Sequence, residues 1–80
     1  MSWQVIHSPD ELLAAVERDD VSGLADVLTS YADVDISIKE WEPTHLEIYA
    51  DGLGVELEYP FALAELWEAA DQLYEWTLVE

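Results

Sequence analysis

Residues 45–59 read His45-Leu46-Glu47-Ile48-Tyr49-Ala50-Asp51-Gly52-Leu53-Gly54-Val55-Glu56-Leu57-Glu58-Tyr59. Leu46, Ile48 and Ala50 alternate with Glu47, Tyr49 and Asp51, and Val55, Leu57 and Tyr59 alternate with Glu56 and Glu58. A period of two with a glycine-containing break between the runs is the signature of a β-hairpin with one buried face. Taking Gly52-Leu53 as a two-residue loop sets Ile48 opposite Leu57 and Glu47 opposite Glu58. All apolar residues then share one face, as correct register requires. Upstream, Val34, Ile36 and Ile38 alternate with Asp35, Ser37 and Lys39, and Trp41-Glu42-Pro43 reads as a turn. The middle of the chain is therefore expected to be a three-stranded antiparallel meander.

Helical periodicity flanks it. Ser8-Pro9-Asp10-Glu11 reads as a helix start, with Ser8 as N-cap, Pro9 at the first helical position and Glu11 closing a capping box. Leu12, Leu13 and Val16 supply its apolar face, and it should end near Arg18-Asp19-Asp20. A second helix is expected from around Val21 to Gly23, with Leu24, Val27, Leu28 and Tyr31 at i, i+3, i+4 and i+7. Pro60 is expected to start the last helix. There Leu63, Leu66, Trp67, Ala70, Leu73, Tyr74 and Thr77 share one face, while Glu65, Glu68, Asp71 and Glu75 share the other. A short apolar run, Trp3 to Ile6, is a candidate edge strand. The fold class is α+β, a single domain over 1–80 in the order (β)ααβββα, with helices on one sheet face.

The chain carries 19 Asp and Glu against one Lys and one Arg, a formal net charge of -17 in 80 residues. Acidic chains are often disordered, but disorder also needs low hydrophobicity. With 51% apolar residues and four Trp, this chain has the means to build a core. It has no cysteine, so disulfides and thiolate metal sites are excluded. Two basic residues cannot grip a phosphate backbone, and an anionic surface is repelled by anionic lipid, so neither nucleic acid nor membrane is an expected direct partner. No run approaches the roughly 20 apolar residues of a membrane span, and the N-terminus lacks a signal peptide's basic region. A cytoplasmic location is the expectation.

The charge is placed where it opposes folding. The open sheet face should present Asp35, Glu47, Glu56 and Glu58 with Tyr49 among them, and Glu40 and Glu42 should lie at the turn beside Trp41. Like charges directly opposite destabilise a sheet. Glu65, Glu68, Asp71 and Glu75 repeat like charges along the last helix, which ends with Glu75 and Glu80 where its dipole favours cations. A charge run on one helix is ordinarily a solvated face; a near absence of Lys from the whole chain needs another cause. One cause is a basic partner, reached by electrostatic complementarity with exposed aromatics as anchors. Trp41 is the candidate anchor, unless its indole folds back on the core edge. The other cause is a salty milieu, where screening shortens to roughly 3 Å at 1 M and repulsion fades.

A small, cysteine-free, strongly acidic α+β domain with Glu47, Glu56, Glu58, Glu65, Glu68 and Asp71 on open faces resembles the phage-encoded DNA-mimic inhibitors, among them many anti-CRISPR and anti-restriction proteins. It is similar in character to the acidic immunity proteins that neutralise nuclease toxins. The resemblance lies in size and charge and carries no motif. It implies an inhibitor that occupies the basic nucleic-acid surface of another protein, such as a subunit of a CRISPR-Cas complex, in a bacterial host's cytoplasm. The contact residues expected on that reading are Asp35, Glu40, Trp41, Glu42, Glu47, Tyr49, Glu56 and Glu58, with Glu65, Glu68, Asp71 and Glu75 as the alternative surface. The alternatives are a haloarchaeal or other high-salt domain and an immunity or antitoxin protein. Mutual repulsion of acidic faces argues for a monomer.

Catalysis is not expected. Among 19 acids some carboxylate pair always looks plausible, and no Cys–His or Ser–His–Asp set stands out. His7 and His45 could meet if the first strand joined the main sheet and could then bind a metal with a nearby Glu, but a structural or exposed histidine is far more common, and no metal site is expected. Asp33-Val34-Asp35 lacks the glycine and terminal Glu of a Ca²⁺ loop, and Gly52 and Gly54 fit a hairpin rather than a phosphate loop. No cofactor is expected. Trp67, Tyr74 and Phe61 read as core rather than a ligand box, and Trp76 falls off that stripe.

Overall fold

The computed structural model describes residues 4–78. Its elements are β1 (Val5–Ile6), α1 (Pro9–Ala15), α2 (Val21–Ala32), β2 (Ser37–Trp41), β3 (His45–Ala50), β4 (Leu53–Glu58), β5 (Phe61–Ala62) and α3 (Leu63–Leu78). The fold is α+β: a three-stranded antiparallel sheet in the order β2-β3-β4, a separate β1-β5 pair and three helices.

Local signals place the helices. Ser8 caps α1 by accepting the Glu11 N–H, and Glu11 reaches back to the N–H of His7, one residue before the cap. The helix closes at Val16, short of the expected end near Arg18-Asp19-Asp20, and Glu17 turns the chain with a positive φ. Asp20 caps α2 by accepting from the Gly23 N–H at 2.9 Å, and the stem of Arg18 lies over Gly23. Asp33, left-handed at φ 60°, ends α2. Thr29 then ties α2 to the start of β2 by bonding both the N–H and the C=O of Ile36.

The sheet carries the core on one side. Leu46, Ile48 and Ala50 are buried, and Ile38, Trp41, Leu53, Val55 and Leu57 pack around them. Against them lie Leu24, Leu28 and Ala32 of α2 and Leu66, Ala69, Ala70 and Leu73 of α3. Ile6, Leu12, Ile36 and Phe61 complete the core. The expected core role of the aromatic stripe is met by Phe61, Trp67 and Tyr74, and Trp76 also packs on the core edge.

Three expectations are corrected. The β3-β4 loop is Asp51-Gly52, not Gly52-Leu53: Ala50 pairs with Leu53, Ile48 with Val55, and Glu47 with Glu56. Both loop residues have positive φ, 52° and 83°, the pattern of a tight hairpin turn. The register moves by two residues, so every side chain keeps its face. Pro60 does not start the last helix. The chain first forms β5, which pairs with β1, and Leu63, the first residue of α3, donates to the Gln4 carbonyl. The N-terminal strand therefore joins β5 and not the main sheet. Trp3 and Glu80, named above, lie outside the described residues.

Candidate interaction face

The open face of the sheet is organised by an irregularity in β2. Ile38 pairs with Ile48, but Glu40 pairs with Glu47, so Lys39 is an extra residue. This bulge shifts the alternation by one. Trp41 returns to the core side opposite Leu46, and Glu40 turns to the open side opposite Glu47. Without it, period two would carry Glu40 inward with Ile36 and Ile38. Bulges commonly re-aim side chains in this way.

Glu40, Glu47 and Glu56 consequently stand abreast across all three strands. The two-residue hairpin makes Glu47 and Glu56 a non-hydrogen-bonded pair, whose Cα atoms lie about 4.5 Å apart, the closer of the two antiparallel spacings. Glu58 sits in the next row, opposite His45. Glu47 leans over Gly54, where a Cβ would meet its Oε2 at 2.5 Å. Glu42 opens the turn, its N–H donating to the His45 carbonyl, and is exposed; Asp35 is exposed two residues before β2.

His45, read above only in relation to His7, is the member of this face that the sequence did not place among the acids. Its Nε2 bonds Glu40, and its Nδ1 lies 3.0 Å from the Thr44 hydroxyl. The hydrogen bond to Glu40 raises its pKa above the ordinary histidine value, with the charges of Glu40, Glu56 and Glu42 adding to the effect against partial desolvation. The other end of the face is milder: Tyr49 is 37% exposed, and the Lys39 ammonium lies 5.9 Å from its ring centroid. The face expected to carry acids with Tyr49 among them thus divides into an acid end and an aromatic end with a cation.

Trp41, read above as a contact anchor or as cover for the core edge, packs against the core and is partly buried. The alternative surface on α3 is partly occupied by structural tasks. Glu65 accepts from the Ala62 N–H at 2.8 Å and caps α3, and Asp71 accepts from the Tyr31 hydroxyl. Tyr31 also stacks at a tilt on Trp67, centroids 4.9 Å apart. Glu68 and Glu75 are exposed.

His7 bonds Glu11 and His45 bonds Glu40, so the two histidines do not meet. Among the described residues no group of three His, Asp or Glu is placed to hold a metal ion, and no helix is long and apolar enough to cross a membrane. Both ion pairs among them use histidine, and neither Arg18 nor Lys39 is within bridging distance of a described carboxylate. No protein family model, curated protein or solved structure matches the chain.

Proposed function

We propose that this protein binds and inhibits a basic nucleic-acid-binding protein by offering it a folded surface with the charge of nucleic acid. The observation that carries this reading is the row Glu40, Glu47 and Glu56. Each like-charge pair opposes the sheet by roughly 0.2–1 kcal/mol, a cost that a single Lys or Gln would remove. A basic groove repays it on docking, and the shared negative field speeds association. The proposed contacts are Glu40, Glu42, Glu47, Glu56 and Glu58, with Tyr49 as the aromatic at the margin and Asp35 at the periphery. The role is binding rather than catalysis. A phage-encoded inhibitor acting on a CRISPR-Cas complex in the bacterial cytoplasm is the leading version, and an immunity protein directed at a nuclease is the neighbouring one.

The test is a pull-down from bacterial lysates containing such complexes, at about 0.1 M and about 0.5 M salt, with Glu40→Lys/Glu47→Lys as the control. One nucleic-acid-binding complex retained by the wild type, released by salt or competing DNA and lost in the folded variant is the expected result. Scattered basic proteins, retained equally by the variant, would sink the reading.

One observation favours a second reading, adaptation to high salt. Exposed acids also occupy α1, the α1-α2 loop and α2, through Asp10, Glu17, Asp19, Asp20 and Asp26, far from the sheet face. On that reading the protein melts near or below room temperature in dilute buffer and gains tens of degrees in about 1 M KCl. Cooperative folding at low salt counts against it.

A further inference from the structure

The sheet order β2-β3-β4 leaves two edges, and they differ in kind. The β2 edge is interrupted by the bulge at Lys39, and a bulge with a lysine is a standard way of blunting an edge against further pairing. The β4 edge runs for six residues, Leu53–Glu58, paired to β3 in one unbroken register. It holds no proline, lysine or bulge.

Hydrogen-bond phase decides which groups that edge exposes. A two-residue hairpin makes its closing residues, Ala50 and Leu53, a mutually bonded pair, and bonded pairs recur every second residue. Ile48–Val55 and Leu46–Leu57 follow. The Tyr59 N–H bond to the Thr44 carbonyl at 3.1 Å confirms the phase one step further. Gly54, Glu56 and Glu58 therefore turn their N–H and C=O groups away from β3. Among the described residues no other backbone or side chain bonds them. These three residues are exposed, and Val55 and Leu57 between them, on the core side, are only partly buried.

We infer that β4 accepts an extended segment of a basic partner protein as a fourth strand, with Lys or Arg at alternate positions and aliphatic residues between. Backbone pairing along Gly54–Glu58 supplies the affinity common to strand addition. Cationic side chains opposite Glu56 and Glu58 meet them on the open face, and the intervening aliphatic side chains extend the core side beside Val55 and Leu57. A second copy fits less well, because two-fold pairing centred on Glu56 or on Leu57 sets glutamate against glutamate, and centring on Val55 to avoid this leaves only Gly54 and Glu56 to bond and Glu58 beyond the partner strand. The inference rests on the proposed reading for one point, that the partner is basic.

The experiment compares two blocked hexapeptides of equal charge and composition, Lys-Val-Lys-Val-Lys-Val and Lys-Lys-Lys-Val-Val-Val. Each is titrated into the protein at low salt, with amide hydrogen exchange followed by NMR. The alternating peptide is expected to bind about tenfold more tightly, and to slow exchange at Gly54, Glu56 and Glu58 about tenfold or more, while Lys-Lys-Lys-Val-Val-Val slows none of them. Glu56→Pro removes an outward N–H that an edge strand does not need and should abolish the preference, whereas Glu56→Gln should keep it. If Glu56→Pro does not fold, exchange in the wild type decides alone. Equal binding without protection at these amides overturns strand addition and leaves the charged-face reading standing. Binding of neither peptide overturns both. Concentration-dependent protection of the same amides without peptide assigns the edge to a second copy and overturns the basic segment as its occupant.

Discussion

Strands β2 and β4 flank the same central strand, face the same helical layer and carry similar residues, yet they solve the pairing problem differently. β4 is regular, with Leu53, Val55 and Leu57 inward and Gly54, Glu56 and Glu58 outward without interruption. β2 spends one extra residue, Lys39, to bring both Ile38 and Trp41 to the core. The contrast teaches that the acid row across the sheet depends on an irregularity. Only because β2 bulges does Glu40 join Glu47 and Glu56 on one face.

Single-residue deletions test this contrast most severely. Deleting Lys39 joins Ile38 directly to Glu40 and leaves a regular strand in the existing register, so the protein should fold within about 1 kcal/mol of wild type. Deleting Glu56 forces Val55 or Leu57 off the core side and should lower stability by about 3 kcal/mol or more, or abolish cooperative folding. Urea denaturation of the two variants checks both. Equal damage would mean that Lys39 has a packing role beyond its place in the bulge.

Next in size is the contrast between centre and edge. Ile48 of β3 is fully buried and Ile38 of β2 only partly. Ile48→Ala should cost about 2–5 kcal/mol and Ile38→Ala roughly half as much, because the cavity at the edge is open to solvent. Gly52→Ala in the β3-β4 turn should cost about 1 kcal/mol, since φ of 83° disfavours any side chain. Gly54→Ala should change stability by less than about 0.5 kcal/mol: its φ is ordinary, and only the flexible end of Glu47 must move. Chemical denaturation of both variants separates strain at the turn from crowding in the strand.

The regular parts were legible in the sequence for the same reason that they are robust. Alternation through residues 45–59 set the faces of β3 and β4, and those faces survived a two-residue error in register because the side-chain period is two. The error arose because Asp51-Gly52 and Gly52-Leu53 both offer turn chemistry around the same glycine. Ser8, Pro9 and Glu11 announced α1, since a cap is a local hydrogen-bond arrangement. The bulge left no comparable mark, because Lys39 lies in ordinary strand sequence and its extra place is defined only by the partner strand. Phe61-Ala62 was too short to read as a strand, and a proline before an apolar periodic run mimicked a helix start. The glutamates of the candidate face were therefore nameable, and Trp41's turn inward stood as one of two readings, but neither that choice nor His45's place among the acids could be made from the sequence. Both depend on cross-strand neighbours.

Glu47→Gln should stabilise the sheet by a few tenths of a kcal/mol to about 1 kcal/mol, because Glu47 is the member of the acid row with a glutamate on each side. The same change should weaken binding to the basic partner, so stability and function move in opposite directions. A thermal melt and the salt-dependent pull-down read the two separately. A variant that neither gains stability nor loses binding would remove the row from the argument.

The smallest expected effect concerns His45. Its folded pKa is raised above 6.5 chiefly by the Glu40 hydrogen bond. A raised histidine pKa means that the protonated form is favoured by folding, so the contribution is fully present below about pH 6.5 and fades as pH rises through the folded value. His45→Gln should lose this increment, and the difference between its urea midpoint and that of the wild type should shrink as pH increases through that window. Other titrating carboxylates largely cancel in the difference. Because protonated His45 offsets one negative charge at the acid end, partner binding should tighten over the same rise in pH in the wild type and stay flatter in the variant. A stability difference that stays constant with pH would mean that the His45–Glu40 contact holds the turn without carrying charge. The acid end would then be uncompensated throughout, and the regular and bulged halves of the sheet would differ in geometry alone.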